Sequence, residues 1–86
     1  MQDEEQRNSI EIDEEADAAY VRVRNAPVAR TVELADGIIV DFDASDEMVG
    51  TEVLGLRHRV GAGDKASYLN GLVAGLRIRP TTAAAE

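Results

Sequence analysis

The segment from Gly37 to Leu54, GIIVDFDASDEMVGTEVL, constrains the fold more than any other part of this chain. An apolar run, Ile38 to Val40, leads into apolar–polar alternation up to Asp43, and a second run with its own alternation extends from Met48 to Leu54, after a short acidic stretch. Side chains along a β-strand point alternately to its two faces, so this period of two indicates strands that are buried on one face. The segment therefore predicts a β-hairpin, which we take as the frame of a larger sheet.

Two details of this hairpin predict local features of the sheet. Ile38, Ile39 and Val40 are apolar on both faces, which indicates a central strand that is covered on both sides at that end. Gly50 has no side chain to pack, so it weakens its strand unless another group approaches closely or the strand forms a bulge there. We expect one of these two arrangements at Gly50.

Three further alternating runs precede the hairpin, at residues 10–12, 18–24 and 28–34. In the second run, Tyr20, Arg22 and Arg24 share one face and small apolar residues share the other, which is the pattern of a half-buried strand. Pro27 separates the second run from the third because it has no amide hydrogen to donate to a sheet. An Asp-Gly pair at 36–37 then favours a tight two-residue turn into the hairpin.

The chain after the hairpin contains one ambiguous segment and one helical pattern. Residues 55–60, GLRHRV, either extend the last strand or begin a helical turn. Beyond Asp64, which can cap a helix, the apolar residues recur at the spacing of one helical face. These apolar residues are Tyr68, Leu69, Leu72, Val73 and Leu76. The pattern predicts a helix from Lys65 to Leu76. The competing interpretation is a hairpin at Asn70-Gly71, and we favour the helix because that hairpin would have very short arms.

The expected fold is α+β, a small antiparallel β-meander of four to five strands with a C-terminal helix packed on one face. We divide the chain into a disordered lead (1–9), a sheet domain (10–60), a linker with the helix (61–79) and a flexible tail (80–86). A sheet with one apolar face must be covered by a helix or by a second copy of the chain. We therefore also predict a homodimer.

Composition excludes several classes of function. The chain has 86 residues, a formal net charge of −8, one histidine and no cysteine, so it has neither a disulfide framework nor a zinc ligand set. Its charge repels phosphate groups, so we expect no nucleic-acid and no membrane partner, whereas a basic protein would be attracted. The acidic N-terminal residues do not resemble a signal peptide, and no apolar run reaches the roughly 20 residues of a membrane helix. We expect a cytoplasmic protein.

No catalytic, cofactor-binding or metal-binding constellation is recognisable, and we predict that the protein is not an enzyme. The nearest match is a calcium-loop template that begins at Asp41 and ends at Glu52, but Asp46 stands where that loop needs glycine, and its flanks are strands rather than helices. We interpret this segment as a polar turn. His58 lies between two arginines and has no carboxylate near it in the sequence to orient its ring.

Two motifs resemble the domain of unknown function 2283 family of small prokaryotic proteins, over about residues 10–56. The first motif is Asp13-x-Glu15-Ala16-Asp17-Ala18-x-Tyr20-x-Arg22, and the second is Gly37, then Asp41-x-Asp43, then Val49-Gly50-x-Glu52-x-Leu54. The chain departs from the family at Ile12, Glu14, Asp46 and Thr51, where an aromatic residue, proline, glycine and a large aliphatic residue are usual. An aspartate can still adopt the left-handed turn conformation that glycine favours. The resemblance implies a compact, mostly antiparallel sheet and no established activity.

Three functional hypotheses follow. The first is a non-enzymatic protein-interaction module that acts as a homodimer, with a possible interaction surface at Tyr20, Arg22, Arg24, Tyr68 and Leu72. The second is an antitoxin-like partner of a small basic toxin, because the resemblance includes proteins encoded beside small toxin-like proteins. The third is a small-molecule-binding domain with a site at the dimer interface, around Tyr20, Arg22 and Arg24.

Overall fold

The computed structural model describes residues 8–77 and contains one five-stranded antiparallel sheet and two helices, which confirms the predicted α+β class. The strands are β1 (Ser9–Asp13), β2 (Ala18–Arg22), β3 (Arg30–Ala35), β4 (Ile38–Phe42) and β5 (Met48–Leu54). The helices are α1 (Leu56–Val60) and α2 (Lys65–Arg77). Most of the predicted lead and the whole predicted tail lie outside the described residues, and Ser9, which was assigned to the lead, begins β1.

The strand order is β1-β2-β5-β4-β3, which differs from the sequential order of the predicted meander. The connection from Val23 to Ala29 carries the chain from β2 to the far edge of the sheet, where β3 begins. β4 and β5 then return by antiparallel turns until β5 pairs with β2. The sheet therefore consists of the β1–β2 hairpin and the β3–β4–β5 meander, joined along β5. Alternation predicts where the strands are but not which strands are neighbours. The observed order and the sequential order are both antiparallel, so the apolar–polar pattern is the same for each.

One face of the sheet, which we call the covered face, packs against α2. Its core side chains are Ala19, Val21, Val23, Ile38 and Val53 from the strands, with Leu56 from α1 and Leu69 and Val73 from α2. The helix prediction is confirmed, and Asn70-Gly71 lies on the exposed side of α2 rather than in a hairpin. The helix forms because Leu69 and Val73, four residues apart, both reach the core from one helical face. Asp64 caps its first turn by accepting the Ser67 amide at 2.8 Å.

The ambiguous segment at 55–60 is the short helix α1, which follows Gly55 in a left-handed conformation (φ 67°). Its arginines connect two turns at one end of the sheet. Arg57 bonds two residues of the β1–β2 turn. Its backbone amide donates to Asp17 Oδ1 at 2.9 Å, and its guanidinium group donates to the Glu14 carbonyl at 3.0 Å. The Arg59 guanidinium donates to the Leu54 carbonyl at 2.7 Å and to the Asp36 carbonyl at 2.6 Å, in the β3–β4 turn.

The acidic turn between β4 and β5 is organised by Asp43, whose carboxylate is nearly buried. Its Oδ1 accepts the amides of Ser45 at 2.8 Å and Glu47 at 2.9 Å. These two bonds hold the pKa of Asp43 below its ordinary value, the Glu47 amide first, with further help from Arg24, which pairs with Asp43 at 3.2 Å. Asp46 adopts φ 66°, as expected for an aspartate in the position where glycine is usual.

Candidate interaction surface

The face of the sheet opposite α2, which we call the open face, carries one continuous row of side chains across all five strands. The register places Glu11 of β1 opposite Tyr20, Tyr20 opposite Glu52, Glu52 opposite Ile39, and Ile39 opposite Glu33. Residues directly opposite one another on paired strands point to the same face. We call these five residues the acidic row, because a carboxylate occupies every second strand.

Tyr20 is held in place on the open face by contacts with β5 and β4. Its ring lies against the backbone of Gly50, where an added Cβ atom would overlap the phenol group. Its hydroxyl donates to Asp41 Oδ2 at 2.8 Å, and the other oxygen of Asp41 accepts from the Thr31 hydroxyl at 2.6 Å. The expectation of a close approach at Gly50 is thus met by Tyr20, and a register shift in the β4–β5 pairing lies beside it.

The environment of Tyr20 keeps its hydroxyl protonated. Burial is the largest cause, followed by the hydrogen bond to Asp41 and the negative charge of that carboxylate, and together they raise the pKa of Tyr20 to about 12. The Arg22 guanidinium, 5.5 Å from the ring centre, lowers the pKa of Tyr20, and the negative charge of Glu52 raises it slightly. Tyr20 is therefore a hydrogen-bond donor at neutral pH and not a base.

The structure brings together only two of the five residues predicted to form the interaction surface. Tyr20 and Arg22 are adjacent on the open face. Arg24 lies beyond the end of β2, where its guanidinium pairs with Asp43 and Glu47 at 3.2 and 3.3 Å. Tyr68 and Leu72 are half-buried against the core of the covered face, so they lie on the other side of the sheet from Tyr20.

The carboxylates of the calcium-loop template do not converge. Asp41 binds Tyr20 and Thr31, while Asp43 binds backbone amides of its own turn. Asp46 pairs with Arg30 at 3.0 Å. Within residues 8–77 there is no group of three or more side chains placed to hold a metal ion. His58 is exposed on α1.

The sequence did not predict the acidic row, although it did single out one of its members, Tyr20. Alternation places Tyr20 and Arg22 on one face of β2, but it does not say which strand lies beside them. The β2–β5 pairing brings Glu52 next to Tyr20, and this pairing joins residues more than thirty positions apart. The apolar run that contains Ile39 predicted a strand covered on both faces. In the structure α2 covers only one face, and Ile39 lies half-buried on the other, between Glu33 and Glu52.

The fold and this surface define a small α+β protein with a five-stranded antiparallel sheet, one face covered by a helix and the other lined by acidic side chains. Residues 9–57 match the family described as "Protein of unknown function (DUF2283)", and the chain belongs to that family. The matched segment contains all five strands and ends at Arg57, whereas α2 lies beyond it. No curated protein and no solved structure matches the chain. None of the helices within residues 8–77 has the length and apolar character needed to cross a membrane.

Proposed function

We propose that this protein is a non-enzymatic protein-interaction module that binds a partner through the open face of its sheet and acts as a homodimer. The observation that carries the proposal is the position of Tyr20 and Ile39, which are half-buried between carboxylates on the open face. Tyrosine is favoured at protein interfaces because it offers a large contact area. A ring that is already fixed, as Tyr20 is by Gly50 and Asp41, also loses little conformational freedom on binding.

The chemistry of the polar groups supports binding rather than catalysis. A general base or nucleophile needs a pKa near the working pH and a partner that orients it. Tyr20 has its pKa raised to about 12, so it keeps its proton and donates a hydrogen bond to Asp41. His58, among the described residues, takes part in no ion pair.

The edge strand β3 supports the homodimer. Val28 is 48% exposed just before β3, and Leu34 is 43% exposed near its end, so two large apolar side chains flank the same edge. An edge strand has unpaired backbone groups that can pair with another strand. If β3 pairs antiparallel with a second copy about a two-fold axis near Thr31, Val28 comes close to Leu34 of the partner subunit, and symmetry repeats this contact.

Size-exclusion chromatography with light scattering tests the homodimer. We expect a mass twice that of the 9.3 kDa chain at micromolar concentrations. The double variant Val28→Glu/Leu34→Glu should be monomeric, because it places like charges in the apolar contacts. The matched control is Ile12→Glu on the opposite edge strand β1, where Ile12 is 38% exposed, and it should remain dimeric. A monomeric wild-type chain would remove the homodimer from the proposal.

Purification of the tagged full chain from its native cell, with mass spectrometry, tests the interaction role. We expect a protein retained in stoichiometric amount, and we expect Ile39→Asn to lose it while Ile12→Asn retains it. Ile39 lies on the open face, whereas Ile12 lies on the covered side of β1, opposite Ala19. Retention of a small molecule alone would instead favour the third hypothesis, a ligand site at the dimer interface.

A second candidate is the antitoxin-like role, an acidic partner of a small basic toxin. It is favoured by the net charge of −8 and by the fact that Arg24, Arg30 and Arg57 are already engaged with acidic groups of the chain itself. Co-expression with a small basic protein encoded beside its gene distinguishes this candidate from a general interaction module. Relief of growth arrest would support it, and continued arrest at equal expression would reject it.

A further inference from the structure

The negative charge of this protein is distributed unevenly over its surface. At the ends of the strands, cations pair with several of the acidic residues: Arg24 pairs with Asp43 and Glu47, Arg30 with Asp46, and Lys65 with Glu14. The three glutamates of the acidic row, Glu11, Glu33 and Glu52, take part in no ion pair within residues 8–77. Most of the acidic residues that take part in no ion pair within residues 8–77 lie on the open face, although Glu15 and Asp36 in the turns, and the cation Arg22 on the open face, are unpaired too.

The spacing of these glutamates is regular. Neighbouring strands lie about 4.8 Å apart, so the backbone positions of glutamates on alternate strands are separated by about 9.6 Å. Tyr20 and Ile39 occupy the two strands between them. This separation is close to the Debye length of about 10 Å at 0.1 M salt, so salt screens part of the mutual repulsion of the glutamates in the isolated protein. The Glu33 carboxylate also accepts the Gly37 amide of the β3–β4 turn at 3.3 Å.

An α-helix repeats this pattern. Residues seven positions apart are separated by about 10.5 Å along the axis, and the residues between them, at the third or fourth position, lie about 5 Å from each. A helix lying across the strands would therefore place a cation over each glutamate and an apolar side chain over Ile39 and beside Tyr20, whose ring has the Arg22 guanidinium 5.5 Å from its centre. Over the whole row the two repeats differ by only about 2 Å, which lysine and arginine side chains can span.

We propose that the open face binds a basic amphipathic helix of a partner protein, lying across the strands, with cations at every seventh position and apolar residues between them. The inference rests on the proposed role as an interaction module and names the chemistry of its partner. Within residues 8–77, a second copy of this chain does not supply such a helix, because α1 has only five residues and the cations of α2 are Lys65 and Arg77, twelve positions apart. Nucleic acid carries the same sign of charge as the acidic row.

The test uses the full chain and a synthetic helical peptide of about three heptads, with lysine at every seventh position and leucine between the lysines. A control peptide of identical composition distributes the same lysines and leucines around the helix. Fluorescence anisotropy measures the affinity of both peptides at low and physiological salt. We expect the ordered peptide to bind at least about tenfold more tightly than the control peptide. Equal affinities would overturn the proposal.

Two triple variants with the same change of charge separate the acidic row from diffuse attraction. Glu11→Gln/Glu33→Gln/Glu52→Gln removes the carboxylates of the row, and Glu14→Gln/Glu15→Gln/Asp36→Asn removes three exposed acidic groups in the turns. We expect the first variant to lose about tenfold in affinity and the second less than about threefold. Equal losses would overturn the proposal. Circular dichroism verifies that both variants keep the fold, and Ile39→Asn provides a second probe that leaves the charge unchanged and should also weaken binding.

The same variants, applied to purification from the native cell, separate failure of this inference from failure of the proposed function. A native partner that the first triple variant retains as well as wild type does would show an interaction module with a different interface. The inference and the placement of the interface on the open face would then be wrong, while the role as a protein-interaction module would stand. If neither a protein partner nor a dimer is found, and the ordered peptide does not bind, both fail.

Discussion

The covered face and the open face of this sheet are made by alternate residues of the same strands, yet they are stabilised differently. On the covered face, Val21, Val53 and Leu69 are fully buried in one apolar core under α2. On the open face, the Tyr20 ring is held by Gly50 and Asp41, and Ile39 is half-buried between carboxylates. Apolar burial is the dominant favourable contribution to folding, so most of the stability comes from the covered face. The open face can therefore carry uncompensated charge without unfolding the protein.

The largest expected effect is at the centre of the covered face. Leu69→Ala should lower the free energy of unfolding by about 3 kcal/mol, because it removes apolar contacts and leaves a cavity. The control is Leu54→Ala at the end of β5, where Leu54 is 39% exposed and faces the open side opposite Ala18. That change should cost less than about 1 kcal/mol. Urea denaturation measures both, and equal losses would mean that the two faces contribute similarly.

Gly50→Ala should lower the free energy of unfolding by about 1–3 kcal/mol, because the added methyl group displaces the Tyr20 ring. In a Tyr20→Ala background the same change should be nearly neutral, since the obstructing ring is absent. The matched control is Gly75→Ala on α2, where nothing lies near an added methyl group. It should raise stability by about 1 kcal/mol, because alanine is the better helix former. A loss at Gly50 that persists without the Tyr20 ring would contradict the packing described for the open face.

Tyr20→Phe should lower stability by about 1 kcal/mol at neutral pH, through the lost hydrogen bond to Asp41. Because the folded-state pKa of Tyr20 is about 12 and an unfolded tyrosine titrates near 10, the wild type has this stabilisation in full below pH 10 and loses it as the pH rises through 12. The variant lacks this alkaline loss. Denaturation at several pH values measures the difference, and parallel pH profiles would show that Tyr20 ionises as an ordinary surface tyrosine.

The smallest expected effect is at Glu52, in the middle of the acidic row. Glu52→Gln should raise the stability of the isolated protein by about 0.3 kcal/mol at low salt, because it relieves repulsion from the neighbouring carboxylates. The gain should disappear at high salt. Glu15→Gln in the β1–β2 turn serves as the control for general charge reduction. If the two variants behave alike at every salt concentration, charge is not concentrated on the open face.

The individual elements were predictable from the sequence because local patterns determine them. Period-two alternation located the strands, the Asp-Gly pair located the β3–β4 turn, and the spacing of Leu69 and Val73 identified α2 despite Asn70-Gly71. The absence of a side chain at Gly50 correctly indicated that another group approaches there.

The assembled surface was not predictable to the same extent. Its geometry depends on which strands are neighbours, and alternation is the same for every antiparallel order. Arg24, Tyr68 and Leu72 were grouped with Tyr20, but Arg24 lies beyond the end of β2, and Tyr68 and Leu72 lie on α2, where they pack against the covered face. The roles of Arg57 and Arg59 were also hidden, because both donate to backbone carbonyls, which have no signature in a sequence.

The central position of β5 has a consequence for how fast the protein folds. β5 is the last strand to be synthesised, yet it joins the two halves of the sheet, and Arg57 then bonds Asp17 across forty positions of sequence. The intervening chain loses conformational entropy when such distant residues are brought together, before their contacts have formed to offset the loss. This entropy loss slows folding. Substitutions in β5 should therefore mainly slow refolding, whereas substitutions in α2, which lies outside the family match, should mainly accelerate unfolding.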